Sequence, residues 1–182
     1  LVLTGSLYED ASLNALIDGI REWLSRRTAA ERAEVSLVYA GTARRRFAGA
    51  ARSLGGLCRV DARDFLPFAE WRALTLSAHA NIYTKTTTTY HHKLIELLSA
   101  DRPVLSFPGE EAEARDVAVA VGGTLYSCDD RAALVNALDR AWRTRRDPPP
   151  AVDRARLAAY SWTRQATTLG AVLARAAKEA RP

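Results

Sequence analysis

The stretch from Ala80 to Pro108, ANIYTKTTTTYHHKLIELLSADRPVLSFP, holds the densest set of groups able to do chemistry. An apolar run gives way to the hydroxyl-rich segment Thr86–Thr89, then to a helical pattern, then to a second apolar run. On that helix, expected from about Tyr90 to Ala100, Leu94, Ile95, Leu97 and Leu98 form an apolar stripe. His92 and Lys93 fall four and three residues before Glu96 and share the opposite face with it. Free amides at a helix start, helped by the hydroxyls of Thr88 and Thr89, suit a phosphate. Lys93 in the first turn adds positive charge. Glu96, about one turn deeper, is placed to accept hydrogen bonds from two vicinal hydroxyls of a ribose. A solvated Lys93–Glu96 pair, worth about 0.3 kcal/mol, is the competing reading and stays open on spacing alone.

Such groups need a scaffold that holds a helix start beside a strand end. Short apolar runs alternate with helical patterns along the whole chain. Strands are expected at Leu1–Leu7, Val35–Ala40, Leu57–Asp61, Ala80–Lys85, Pro103–Phe107 and Gly123–Cys128. Between and after them, helices are expected at Ala11–Ser25, capped by Asp10 or Ser12, and at Ala43–Leu54, stopped by Gly55-Gly56. Further helices follow from Pro67 to about Ser77, at Glu110–Val121, and at Asp129–Arg146 with Asp129 as the cap. Pro148–Pro150 breaks the pattern before a last helix over roughly Tyr160–Ala180. Strand and helix alternating about six times imply parallel pairing with right-handed crossovers. The expected fold is therefore α/β, a Rossmann-like doubly wound parallel sheet of about six strands, in one domain over residues 1–182. Ligands on such sheets bind beyond the carboxyl ends of the strands.

Composition fits an ordinary globular domain. The 182 residues are 48% apolar and 26% charged, enough for a core without disulfides or metals. A net charge of +5 suits an anionic partner such as a nucleotide, a nucleic acid or a membrane surface. Much of the excess is Arg in the runs 44–46 and 143–146, read as solvated helix faces. Cys58 and Cys128 lack any disulfide or zinc spacing and read as buried free thiols, which suits a reducing, cytoplasmic setting. No metal site is expected: there is no DxD, and the adjacent His91 and His92 point about 100° apart on a helix. The chain opens on Leu1-Val2-Leu3 in mid-strand and contains no Met, which points to a piece of a longer protein.

The run K-L-I-E-L-L-S-A-D-R-P-V-L at 93–105 resembles the K-L-x-E-x-x-A-x-G-x-P-V-V signature of GT-B glycosyltransferases of the retaining, glycogen-synthase-like group. Other segments resemble the C-terminal half of that family in the same order. They are LVLTGSL at 1–7, VSLVYAG at 35–41, FLPFAEWRALTLSAHANIYT at 65–84, GGTLYSCDDRAALVNAL at 122–138 and YSWTRQATTL at 160–169. The resemblance covers nearly the whole chain. It implies the C-terminal, nucleotide-sugar-binding half of a GT-B fold, whose substrate is a nucleoside-diphosphate sugar and whose partner is an N-terminal acceptor domain of the same protein. It implies Glu96 on the nucleotide ribose, Thr88 and Thr89 at the diphosphate cradle, and Gly5 in the turn where backbone approaches donor phosphate. The catalytic residues stay unassigned, and no cofactor or metal is implied. A peripheral membrane contact of the whole enzyme is compatible with its charge.

Three positions depart from the family pattern. Thr88 stands where a glutamate is frequent, Asp101 where glycine is usual, and GSLYEDASLN after the first strand offers acids and no Arg or Lys. These departures keep a non-catalytic GT-B-like domain in play. A sugar-nucleotide epimerase half is a further alternative. A nucleic-acid-binding module is not expected, because no recognition motif or aromatic–basic interleaving accompanies the charge.

Overall fold

A computed structural model describes residues 1–85, 92–149 and 151–179. Six strands form one parallel sheet: β1 Val2–Thr4, β2 Ser36–Ala40, β3 Arg59–Arg63, β4 Asn81–Thr84, β5 Val104–Phe107 and β6 Leu125–Ser127. Their order is β3-β2-β1-β4-β5-β6. This is the dinucleotide-fold order, in which the chain winds one way from β1 and the other way from β4. The expected α/β doubly wound sheet is thus present.

The helices are α1 Asp10–Ser25, α2 Ala29–Ala33, α3 Arg44–Ala50, α4 Phe68–Ser77, α5 His92–Leu98, α6 Ala112–Ala120, α7 Arg131–Arg143, α8 Arg154–Ala158 and α9 Trp162–Glu179. They cover both faces, so the strands send alternate residues into two cores. From β4, Ile82 enters the core beneath α1, α3 and α7, whereas Tyr83 enters the core beneath α5, α6 and α8. From β5, Leu105 and Phe107 join the first core and Val104 the second. Helix α1 buries Leu13, Leu16, Ile17, Ile20 and Leu24, each worth about 2 kcal/mol when fully removed from water. It packs closely on α7: a Cβ on Gly19 would lie 2.5 Å from Leu134.

Several local expectations are corrected. Neither Asp10 nor Ser12 caps α1, whose N-cap is Glu9 without a side-chain bond to a helix amide. Asp130, not Asp129, caps α7, its carboxylate accepting from the Ala133 amide. The helix expected over 43–54 is α-helical only to Ala50 and tightens into a 3-10 turn over Ala51–Leu54. The third strand lies two residues later than expected, because Leu57 and Cys58 pack against the core from the turn before it. Being an edge strand, β3 carries Arg59, Asp61 and Arg63, charges that discourage edge pairing. Helices α2 and α8 were not expected.

Both cysteines are free, Cys128 buried and Cys58 only half-buried. Burial, reinforced by Asp129 and Asp130, pushes the Cys128 thiol up to about 12. Among the described residues no helix is long and apolar enough to cross a membrane.

Candidate functional site

The winding direction reverses between β1 and β4, which leaves a crevice beyond their carboxyl ends. Gly5 leaves β1 with φ 105°, a conformation that only glycine adopts without strain. Its amide donates to the Ala40 carbonyl at 3.2 Å, and its own carbonyl accepts the Tyr39 hydroxyl at 2.8 Å. On the other side, the Thr84 hydroxyl at the end of β4 donates to the Ser6 carbonyl at 3.4 Å.

The structure brings Gly5 and Lys93 together. A Cβ on Gly5 would lie 3.6 Å from Lys93 Cε. The Lys93 ammonium sits 5.1 Å from the Trp71 ring centre and donates to Glu96 Oε2. Lys93 is mostly buried, whereas Glu96 is 47% exposed, so the pair has one anchored and one free member. Thr88 and Thr89, together with Tyr90, His91 and the expected helix start, lie outside the described residues.

Glu96 faces a cleft of about 1080 Å³. Tyr8 from the β1–α1 loop, His92 and Ile95 from α5, Leu157 from α8, and Trp162 from α9 line it. His92 meets Trp162 edge-on at 4.9 Å between ring centres. Leu94, Leu97 and Leu98 are buried as the apolar stripe requires, but Ile95 is half-buried in the cleft wall.

Two further cations at this edge come from places that sequence reasoning passed over. The β1–α1 loop carries no base of its own, yet Arg46 reaches it from α3. Its guanidinium donates to the Leu7 carbonyl, to the Tyr8 carbonyl at 3.4 Å and to the Asp10 carboxylate. Arg44, by contrast, pairs with the exposed Asp64 at 2.9 Å, as a solvated run implies. Lys85, just past β4, is buried and faces Glu110 and Glu111 from the β5–α6 loop. A lysine ending an apolar strand at the ligand edge was the available signal.

Asp101, where the resembled family has glycine, takes φ 52°. An acidic side chain tolerates this left-handed conformation better than most. Its carboxylate also accepts from the Val152 amide at 3.0 Å and pairs with Arg154, tying α8 to the end of α5. Asp101→Gly keeps the backbone and loses the tie, whereas Asp101→Ala loses both. Alanine should therefore cost roughly 1–2 kcal/mol more than glycine, measured by urea denaturation. Equal stability of the two variants would show that the left-handed residue is not what matters.

No family model matches the chain, and no curated protein matches it significantly in sequence. Solved structures do resemble it. A candidate UDP-N-acetylglucosamine 2-epimerase from Listeria monocytogenes is 15% identical, with a TM-score of 0.55 over 86% of this chain and 42% of that one. AviGT4, a glycosyltransferase involved in avilamycin A biosynthesis, is 21% identical, with a TM-score of 0.49 over 89% of this chain and 46% of that one. The chain spans less than half the length of either. Together with the strand order, the likeness defines the class of the molecule: a Rossmann-like α/β domain of the GT-B type.

Proposed function

We propose that this chain is the donor-binding domain of a glycosyltransferase that moves a hexosyl group from a nucleoside-diphosphate sugar to an acceptor. The observation that carries the reading is the meeting of Gly5 and Lys93 at the switch point, with the half-exposed carboxylate of Glu96 on the adjoining cleft. Glycine at the turn permits close approach of phosphate to backbone. Lys93 supplies charge beside it, Thr88 and Thr89 supply hydroxyls, and Glu96 accepts from the ribose. When the glycosidic bond breaks, charge builds on the leaving diphosphate, and fixed donors and cations there stabilise it. The acceptor and any base belong to an N-terminal domain facing this one, so the chain alone is expected not to transfer sugar.

A second reading is the donor half of a sugar-nucleotide epimerase, favoured by the fold likeness to the Listeria protein. This reading, too, assigns a sugar nucleotide to the edge formed by Gly5, Lys93 and Glu96. The retaining, glycogen-synthase-like affiliation rests on the run at 93–105 and belongs to the first reading.

Calorimetric titration of the purified chain with UDP, GDP and ADP tests what both readings share. At least one should bind, with amide NMR shifts at Gly5, Lys93 and Glu96. No response from any of the three at millimolar concentration would refute both readings.

A further inference from the structure

A second cation is built into the carboxyl edge. The Lys85 amide donates to the Phe107 carbonyl at 3.3 Å, which holds its backbone between β4 and β5. Only 6% of its side chain is exposed. Two carboxylates face its ammonium, and they differ in kind.

Glu110 is a permanent counter-charge. Its side chain is fully buried, with Oε2 3.6 Å from Lys85 Nζ. Its Oε1 accepts the Tyr83 hydroxyl at 2.5 Å, and its backbone amide donates to Ser127 Oγ at 2.7 Å. Oε2 has no hydrogen-bond partner among the described residues, so the Lys85 charge is what compensates it there.

Glu111 is a removable partner. Its Oε1 accepts from Lys85 Nζ at 2.7 Å, yet 76% of its side chain is exposed. It is the N-cap residue of α6, but its carboxylate accepts no capping bond and turns to Lys85 instead. A buried ammonium requires a counter-ion, which Glu110 already supplies. Glu111 therefore fills, from the solvent side, the place an external anion would take. Thr84, next to Lys85, is bonded to the loop that begins with Gly5, so the Lys85 backbone leaves β4 beside the switch-point crevice.

We propose that Lys85 binds the diphosphate of the nucleotide ligand and that Glu111 is an internal carboxylate which the ligand displaces from it. This rests on the donor-site reading above. It also answers the absence of Arg or Lys after β1: the charge comes from the end of β4 instead. Glu110 keeps the ammonium in place while Glu111 swings into water. Glu111 thereby lowers affinity for anions in the free domain.

The test compares UDP with uridine, GDP with guanosine and ADP with adenosine, by calorimetry at low salt. Glu111→Gln removes the competitor from an exposed position, where it does not endanger folding. It should tighten binding of the diphosphate about threefold and leave the nucleoside unchanged. Lys85→Met should weaken the diphosphate about tenfold with the nucleoside again unchanged. Because Lys85→Met strips the buried Glu110 of its counter-charge, the double variant Lys85→Met/Glu110→Gln is measured beside it and should show the same loss. An unchanged diphosphate affinity in Glu111→Gln, or an equal gain for the nucleoside, would overturn the assignment. If the wild-type chain binds nucleoside and nucleoside diphosphate equally, Lys85 falls and the nucleoside part of the donor site stands. If it binds neither, both readings fall.

Discussion

Glu96→Ala is expected to lower nucleoside-diphosphate affinity at least tenfold while leaving the melting temperature almost unchanged. The side chain is about half exposed, and its one side-chain partner among the described residues is Lys93. An exposed i,i+3 pair contributes roughly 0.5 kcal/mol or less, so folding loses little. A carboxylate holding two ribose hydroxyls makes two charge-assisted bonds, each worth about 1.5–3 kcal/mol at most. Loss of even one corresponds to about tenfold in affinity. The substitution also releases Lys93, which stands beside Gly5 and can then turn wholly to phosphate. Inorganic pyrophosphate should therefore bind the variant as well as wild type or better, in opposition to the nucleotide. A 2′,3′-dideoxy nucleotide should bind wild type poorly and be indifferent to the change. Titrations that place the variant within twofold of wild type for the nucleoside diphosphate would reduce Glu96 to a surface partner of Lys93.

The sheet was legible because its strands carry their own signal. VSLVYAG and RPVLSFP are apolar, β-rich and punctuated by Gly or Pro, and they form β2 and β5 within a residue of the expected bounds. Legibility failed where tertiary context outweighs local pattern. The apolar Leu57 and Cys58 look like strand residues, yet the strand is the charged Arg59–Arg63 that follows, because pairing with β2 decides it. Helices α2 and α8 have five residues each, too few for periodicity to show. Their caps were visible nonetheless: Thr28 and Glu31 form a reciprocal capping box, and Asp153 accepts from the Arg156 amide.

The site divides in the same way. Gly5 and Lys93 could be named as candidates because each sits where an element whose direction the sequence sets ends or begins, and Glu96 lies about one turn further along α5. Their proximity comes from the order β3-β2-β1-β4-β5-β6, which puts β1 beside β4. The pairing of Lys85 with Glu110 was not legible. The two are 25 residues apart in sequence, and only the β4–β5 pairing makes their loops neighbours. Arg46 was hidden for the opposite reason. In the run 44–46 Arg44 pairs with Asp64 at the surface whereas Arg46 turns to the β1–α1 loop, and a helix face alone does not say which one turns inward.

Gly41→Ala is expected to be strongly damaging for a single added methyl, and it joins fold to site. Gly41 follows β2, and no unusual backbone angle demands glycine there. Space does. A Cβ would lie 2.3 Å from the Gly5 carbonyl oxygen, 2.4 Å from the Tyr39 hydroxyl oxygen and 2.8 Å from Tyr39 Cζ. None of these atoms yields easily. The Tyr39 ring is buried and stacked on Phe47 at 4.8 Å between centres. Its hydroxyl joins two loops, donating to the Gly5 carbonyl and accepting from the Ala43 amide at 3.0 Å. Overpacking a buried site costs about 1–3 kcal/mol, and a broken buried hydrogen bond adds about 1–3 kcal/mol. A total near 3 kcal/mol corresponds to a fall in melting temperature of roughly 6–12 °C for a chain of this size. Tyr39→Phe removes the hydroxyl that is both obstacle and bond. Alone it should cost about 1 kcal/mol. Combined with Gly41→Ala it should cost clearly less than the sum, because one of the overlapping atoms is gone. Strict additivity, or a melting temperature of Gly41→Ala within about 2 °C of wild type, less than about 1 kcal/mol by the same scaling, would show that the loops part without penalty. The carbonyl that Gly41→Ala displaces belongs to Gly5, so any variant that stays folded should also bind nucleoside diphosphate more weakly. Tyr39→Phe, which leaves the Gly5 backbone in place, should bind it nearly as wild type does.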